Sequence, residues 1–180
     1  MRKMLIATLV LVGSVALAYP AVASERVVTS EAVSVRASVL ERTLGVTGVV
    51  ARREAVTQLR REELLLELAK QEGVDFSDAY VRDRVRDMRT TSETAGENAF
   101  EEAATAWGMA SVDEFVADPR VLSMYRRGLL VGEMRLRVVE RLETSPTFDG
   151  ASDESVDRYL SVALHGVSVR VPNVEVRMRE

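Results

Sequence analysis

Leu59-Arg60-Arg61-Glu62-Glu63-Leu64-Leu65-Leu66-Glu67-Leu68-Ala69-Lys70-Gln71-Glu72-Gly73 is the stretch that decides the fold class. At 3.6 residues per turn, Leu59, Leu64, Leu65, Leu66, Leu68 and Ala69 spread over much of the circumference of a helix. A helix that is apolar nearly all round is a buried one. The pattern therefore predicts a long helix over about Val50–Glu72 whose second half is enclosed by other elements. Gly73 stands where a left-handed residue closes a helix.

The flanking segments supply elements to enclose it. Upstream, Val33, Ala37, Leu40 and Leu44 form a stripe at helical spacing, predicting a helix over Glu31–Leu44. Ser30 is its candidate cap and Gly45 its stop. Downstream, Ser77 caps a third helix, with Asp78 in the first turn. Phe76 and Val81 sit at the spacing of a hydrophobic staple. Val81, Val85 and Met88 face inward, while Arg82, Asp83, Arg84, Arg86 and Asp87 face water. The polar run from Thr90 to Gly96 reads as a loose connection.

Phe100, Ala103, Ala104 and Trp107 then predict a short amphipathic helix ended by Gly108. Ser111-Val112-Asp113-Glu114 is a capping box ahead of Phe115 and Val116. Asp118-Pro119 stops that helix and opens a long one, about Arg120–Leu142. Its inner stripe reads Val121, Tyr125, Leu129, Gly132, Leu136 and Val139, widened by Leu122 and Met124. Thr144–Gly150 is a linker. Ser152 caps a last helix carrying Val156, Tyr159, Leu160 and Ala163 inward, with Gly166 as its stop.

Beyond it the period changes to two. Val167, Val169 and Val171, then Val174, Val176 and Met178, alternate with polar residues about a Pro172-Asn173 turn, predicting a short β-hairpin. A lone hairpin is marginal in water. Arg26-Val27-Val28 is the segment best placed to pair with it, and a frayed tail is the alternative.

The N-terminus reads differently. Arg2 and Lys3 precede an apolar run from Met4 to Ala18, followed by Ala16-Leu17-Ala18 and Ala21-Val22-Ala23. Charge, apolar core and small-residue site in that order are an export signal, here predicted to be cut after Ala23. The run is about fifteen residues, short of the ~20 that span a bilayer; an uncleaved anchor is the alternative. Residues 1–23 are thus expected to be a signal peptide. Residues 24–180 are expected to form a single helical domain, with a core at about 30–143 and the last helix and strands over 152–178. The expected location is periplasmic or extracellular, with no stable membrane span after cleavage.

Removing Arg2 and Lys3 lowers Lys+Arg from 24 to 22 against 28 Asp+Glu. Such an acidic balance disfavours nucleic acid. Most charges read as solvated helix surface. Arginine so outnumbers lysine, with Lys70 alone left after cleavage, that the excess reads as compositional bias. With 0 cysteines there are no disulfides and no thiolate metal sites.

No catalytic constellation emerges. His165, the single histidine, sits at a helix C-terminus, where an imidazolium suits the dipole. No metalloprotease, nucleophile-elbow or phosphate-loop pattern occurs. Glu62-Glu63 and Glu101-Glu102 are adjacent in sequence but point about 100° apart on a helix, so they read as surface. No cofactor, metal or enzymatic activity is expected. Methionine is the more informative type, because its flexible thioether adapts to varied apolar partners. Met88, Met109, Met124, Met134 and Met178 either fill core gaps or contribute to such a surface, and Trp107 stands beside Gly108-Met109.

Two stretches carry a family resemblance. The first is Gln58-Leu59 through Leu64–Val74, then Ser77-Asp78 and Val81. The second is Phe100–Ala103, Trp107-Gly108-Met109, Ser111–Phe115, Tyr125-Arg126, Leu129-Leu130 and Arg135-Leu136. Order and spacing over about Ala55–Leu142 resemble the N-terminal chaperone domain of the SurA-type periplasmic peptidyl-prolyl isomerases. In that family a short strand and an Asn-Gly turn open the domain. Here Val27–Glu31 stands without Asn-Gly, and the segment around Thr91–Asn98 is atypical. The 38 residues after Leu142 are too few for the family's parvulin module.

The resemblance implies a compact helical chaperone-like domain. It would bind unfolded or partly folded exported polypeptides without ATP, and it would lack isomerase activity. The expected polypeptide-binding residues are Met88, Phe100, Trp107, Met109, Phe115 and Met124. The alternatives are a helical assembly subunit that docks one specific partner, such as a separately encoded isomerase or protease, and a degenerate isomerase. Monomer and dimer both stay open.

Overall fold

A computed structural model describes residues 27–144, 150, 152–165 and 167–171. The protein is mainly α-helical. In chain order the helices are α1 (Ser30–Leu44), α2 (Gly48–Gln71), α3 (Asp78–Thr94), α4 (Ala99–Ala106), α5 (Val112–Ala117), α6 (Pro119–Glu143) and α7 (Asp153–Ala163). They belong to two compact units. One is built from the segment Val74–Leu130. The other draws its described residues from Val27–Gly73 and from Val131 onward. α6 contributes its first half to the former and its second half to the latter.

In the second unit α1 packs along α2. Their shared core is Val28, Ala32, Val33, Ala37, Leu40, Ala51, Ala55 and Leu59, with Val46, Val56, Val169 and Val171 against it. Four of the eight buried residues are alanines, which lets the two helices approach closely. The cap of α1 is Thr29 rather than Ser30. Thr29 has extended backbone, and its hydroxyl accepts from the Ala32 N–H at 3.1 Å. Gly45 ends α1 at φ +66°, as its position predicts. On the flank, Arg36 of α1 donates to Glu62 at 2.7 Å and to Gln58 at 3.2 Å on α2. Glu62 is thereby an ion-pair partner rather than open surface.

The all-round burial of α2's second half is observed: every residue from Arg61 to Ala69 is buried or half-buried. That burial takes charge with it. Arg61 is only 7% exposed and Glu63 9%. Arg61 is held from α7 by three short bonds. Its Nε and Nη2 donate to the two oxygens of Asp157 at 2.6 and 2.7 Å, and its Nη1 donates to Asp153 at 2.7 Å. This fork-to-carboxylate geometry is the strong form of the pair. The hydrogen bond with Asp157 chiefly, against the opposing effect of burial, raises the guanidinium's pKa above its usual value. Arg135 of α6 adds a bond to Asp153. Arg141 binds both oxygens of Glu72 and the Tyr159 hydroxyl.

Three local expectations need correction. α3 continues through Thr94, so the segment from Thr90 is not loose. Thr90, Thr91 and Thr94 each donate a hydroxyl to the carbonyl four residues back, at 3.1, 2.8 and 2.7 Å. That bond keeps polar β-branched residues inside a helix, and the Arg89–Glu93 pair adds to it. In α6 one stripe does not run the whole length. Val121 and Tyr125 are buried in the first half and Met134 and Val138 in the second, while Leu136 is 50% exposed and Gly132 is exposed. In α7 the inward positions are Ser155, Val156 and Leu160, then Leu164 just beyond it; Ala163 is exposed.

The period-two segment forms one parallel bridge, Val27 with Arg170, in which the Val28 N–H donates to the Arg170 carbonyl at 3.0 Å. Val167, Val169 and Val171 alternate with exposed Ser168 and Arg170. The alternation and the predicted pairing segment are therefore both present, as a bridge rather than a strand among the described residues. The second arm of the expected hairpin, Val174–Met178, lies outside them, as does the expected signal, residues 1–23.

Because Asp153 and Asp157 reach water and Arg61 does not, the clasp is asymmetric. The Asp153→Asn, Asp157→Asn double variant leaves a buried charge unpaired and is expected to cost about 3 kcal/mol. Arg61→Met leaves two solvated carboxylates and is expected to cost about 1 kcal/mol. Urea unfolding midpoints of the two variants check the order.

Candidate functional site

The first unit is organised around Val81, Val85, Phe100, Ala104, Phe115, Val121 and Tyr125. Helix-end chemistry places each contributor. Ser77 caps α3 by accepting from the Tyr80 N–H at 3.2 Å, and Phe76 stacks on Tyr80 with ring centroids 4.8 Å apart. Phe76 and Val81 both pack in the cluster, as the staple spacing predicts. The end of α4 is a left-handed glycine closure. Gly108 has φ +70°, its N–H donates to the Thr105 carbonyl at 3.0 Å, and the Met109 N–H reaches back to Ala104 at 2.9 Å. That closure turns Met109 onto the cluster. Ser111 caps α5 by accepting from the Glu114 N–H at 3.1 Å. Glu114 completes the box one residue early, accepting from Ala110 rather than from Ser111. Asp118 accepts from the Arg120 N–H at 2.7 Å and starts α6.

The rings meet in defined geometry. Phe115 receives Trp107 edge-on at 5.8 Å and 79°, and Phe100 at 6.4 Å and 80°. Phe100 stacks parallel to Tyr125 at 6.3 Å. Edge-to-face pairs of this kind are worth about 1 kcal/mol each beyond burial. The Arg120 guanidinium lies 5.4 Å above the Trp107 ring and forks onto Asp118 at 2.8 and 3.0 Å. The hydrogen bond from Arg120 holds the Asp118 carboxyl below its ordinary pKa.

All six residues singled out from the sequence fall in this one cluster. Phe100 is 5% and Phe115 1% exposed, so these two form its floor. Met88, Trp107, Met109 and Met124 are half-buried at its edge, together with Phe76, Ala103, Val112, Val116, Leu122 and Leu129. Two further side chains shape the ring contacts and lie outside those six. Tyr125 closes the floor by stacking on Phe100, a role its place in the α6 stripe could have suggested. Arg120 covers Trp107, and no local pattern announces that contact.

Other candidate chemistry stays dispersed. His165 is exposed just beyond α7, and Glu101 and Glu102 are exposed on α4. Among the described residues no group of three or more His, Cys, Asp or Glu side chains is placed to hold a metal. No helix among them is long and apolar enough to cross a membrane.

Burial raises the Tyr125 phenol from 10.0 to about 12. Between those values the folded state keeps a proton that the unfolded state loses, so stability falls as pH rises through that window. The loss is expected to be about 2 kcal/mol, and absent in Tyr125→Phe, as read from urea midpoints across the alkaline range. Gly108→Ala meets no steric obstacle but keeps a positive φ. It is expected to cost about 1 kcal/mol and to loosen Met109.

No family model, curated protein or solved structure matches this chain.

Proposed function

We propose that this chain is an exported, ATP-independent chaperone-like protein that holds unfolded or partly folded polypeptides by apolar contact. One observation carries the reading. Met88, Trp107, Met109 and Met124 stay half-buried around the edge of a single aromatic cluster. Three unbranched thioethers and an indole give part of that edge an adaptable character, which suits extended segments of varied sequence. Phe100 and Phe115 fix the floor from beneath and keep the edge in place. The resemblance of Ala55–Leu142 to the SurA-type chaperone domain and the export-like N-terminus support the same reading, and with it a periplasmic or extracellular location.

A second reading has its own support. The two phenylalanines are already covered by ring neighbours, so the edge alone is accessible, and a small preorganised surface also suits docking to one complementary partner. Light scattering separates the two. A several-fold excess of the protein is expected to suppress aggregation of several unrelated denatured clients. Met88→Glu with Met124→Glu is expected to lose that suppression while staying folded at the assay temperature, as circular dichroism checks. Suppression of no client, together with stoichiometric capture of one protein, supports the docking reading instead. Proline-limited refolding is expected to proceed no faster with the protein present.

A further inference from the structure

The turn between α1 and α2 turns its apolar residues outward. Leu44 is 65%, Val49 43% and Val50 60% exposed, while Val46 between them packs inward on the α1–α2 core. Two left-handed glycines and two hydrogen bonds define the turn. Gly45 and Gly48 take φ +66° and +55°, the Glu41 carboxylate accepts from the Gly48 N–H at 2.9 Å, and the Val50 N–H donates to the Thr47 carbonyl at 3.2 Å. Three neighbouring exposed aliphatic side chains make this tip a local apolar patch that a surface can accept.

The surrounding charge says which surface. Arg42, Arg52 and Arg53 are all exposed beside the aliphatic tip. Arg52 and Arg53 make no ion pair among the described residues, and Arg42 donates to its own helix at the Ser38 carbonyl. The two nearby acids are engaged within the hairpin, Glu41 with Gly48 and Glu54 with the Gln58 amide at 2.9 Å. Both carboxylates keep their charge, so three arginines against two acids leave this end with a small positive excess on a chain of net charge −4. An aliphatic wedge fringed with arginine is the chemistry of a membrane interface. The apolar residues enter the acyl boundary and the guanidinium groups meet lipid phosphates. Three aliphatic side chains are far less than the ~800 Å² per partner that a stable protein interface buries.

We propose that the α1–α2 tip is a peripheral docking wedge for an anionic lipid bilayer, inserting Leu44, Val49 and Val50 while Arg42, Arg52 and Arg53 engage the headgroup phosphates. The absence of native cysteine permits a direct test. The full chain carrying Val50→Cys, or Val162→Cys as a control on α7, is labelled with an environment-sensitive dye. It is then mixed with vesicles of phosphatidylglycerol or of phosphatidylcholine. Emission from the label at position 50 is expected to rise several-fold on the anionic vesicles and to stay near its aqueous value on the neutral ones. The label at 162 is expected to report water on both. Adding Arg52→Glu and Arg53→Glu is expected to abolish the rise with the helical circular dichroism unchanged. Three results overturn the proposal: no rise on anionic vesicles, an equal rise on neutral ones, or a rise with protein concentration in the absence of lipid, which marks a contact between copies.

Discussion

Arg61 is the constraint on which the second unit is built. The leucine-rich half of α2 is buried on every side, and a guanidinium is buried with it at 7% exposure. A lone buried cation is costly enough that opposite charge must be brought to it. α7 brings it, with Asp153 and Asp157 one helical turn apart on one face. α6 joins through Arg135 at Asp153 and through Arg141 at Glu72 and Tyr159. The pair is better understood as fixing where α7 sits than as a large net source of stability. Apolar burial elsewhere, at Leu59, Leu65, Val156 and Leu160, supplies the driving force.

The first unit rests on a different kind of constraint. Two of its helices are short, eight residues in α4 and six in α5. Helices of that length are not stable alone in water. They persist because their ends are chemically closed, by the Gly108 turn and the Ser111 cap, and because both deliver a phenylalanine to one place. The edge around those rings is what remains available to a partner, and the proposed function depends on that division between floor and edge.

Much of this was legible in the sequence because local chemistry dictated it. Ser77, Ser111 and Ser152 cap the helices they were expected to cap, and Gly45 and Gly108 end theirs. The apolar circumference of α2 correctly announced burial. The six expected binding residues converge because Met88, Phe100, Phe115 and Met124 lie on inward positions of four neighbouring helices and the Gly108 turn brings Trp107 and Met109 to the same cluster. What failed to show was non-local. Arg61 and Asp157 are 96 residues apart, and nothing in either neighbourhood marks them as partners or sets Arg61 apart from the other arginines. The change of stripe phase in α6 has the same origin, since its two halves belong to different units and each buries the face its own neighbours require. Thr90–Thr94 misled for a local reason: threonine disfavours helices on average, yet its hydroxyl can bond back to the preceding turn.

Trp107 is the single tryptophan of the chain and sits on the edge of the aromatic cluster, against Phe115 and beneath Arg120. Its emission therefore reports directly on the surface proposed to hold polypeptides. Titration of the protein with a permanently unfolded, tryptophan-free polypeptide should give a saturable blue shift, reversed by a competing unfolded chain and lost in the Met88→Glu, Met124→Glu variant. A Trp107 spectrum unchanged at saturating polypeptide, while binding is detected by another signal, would place the interaction elsewhere and contradict the account.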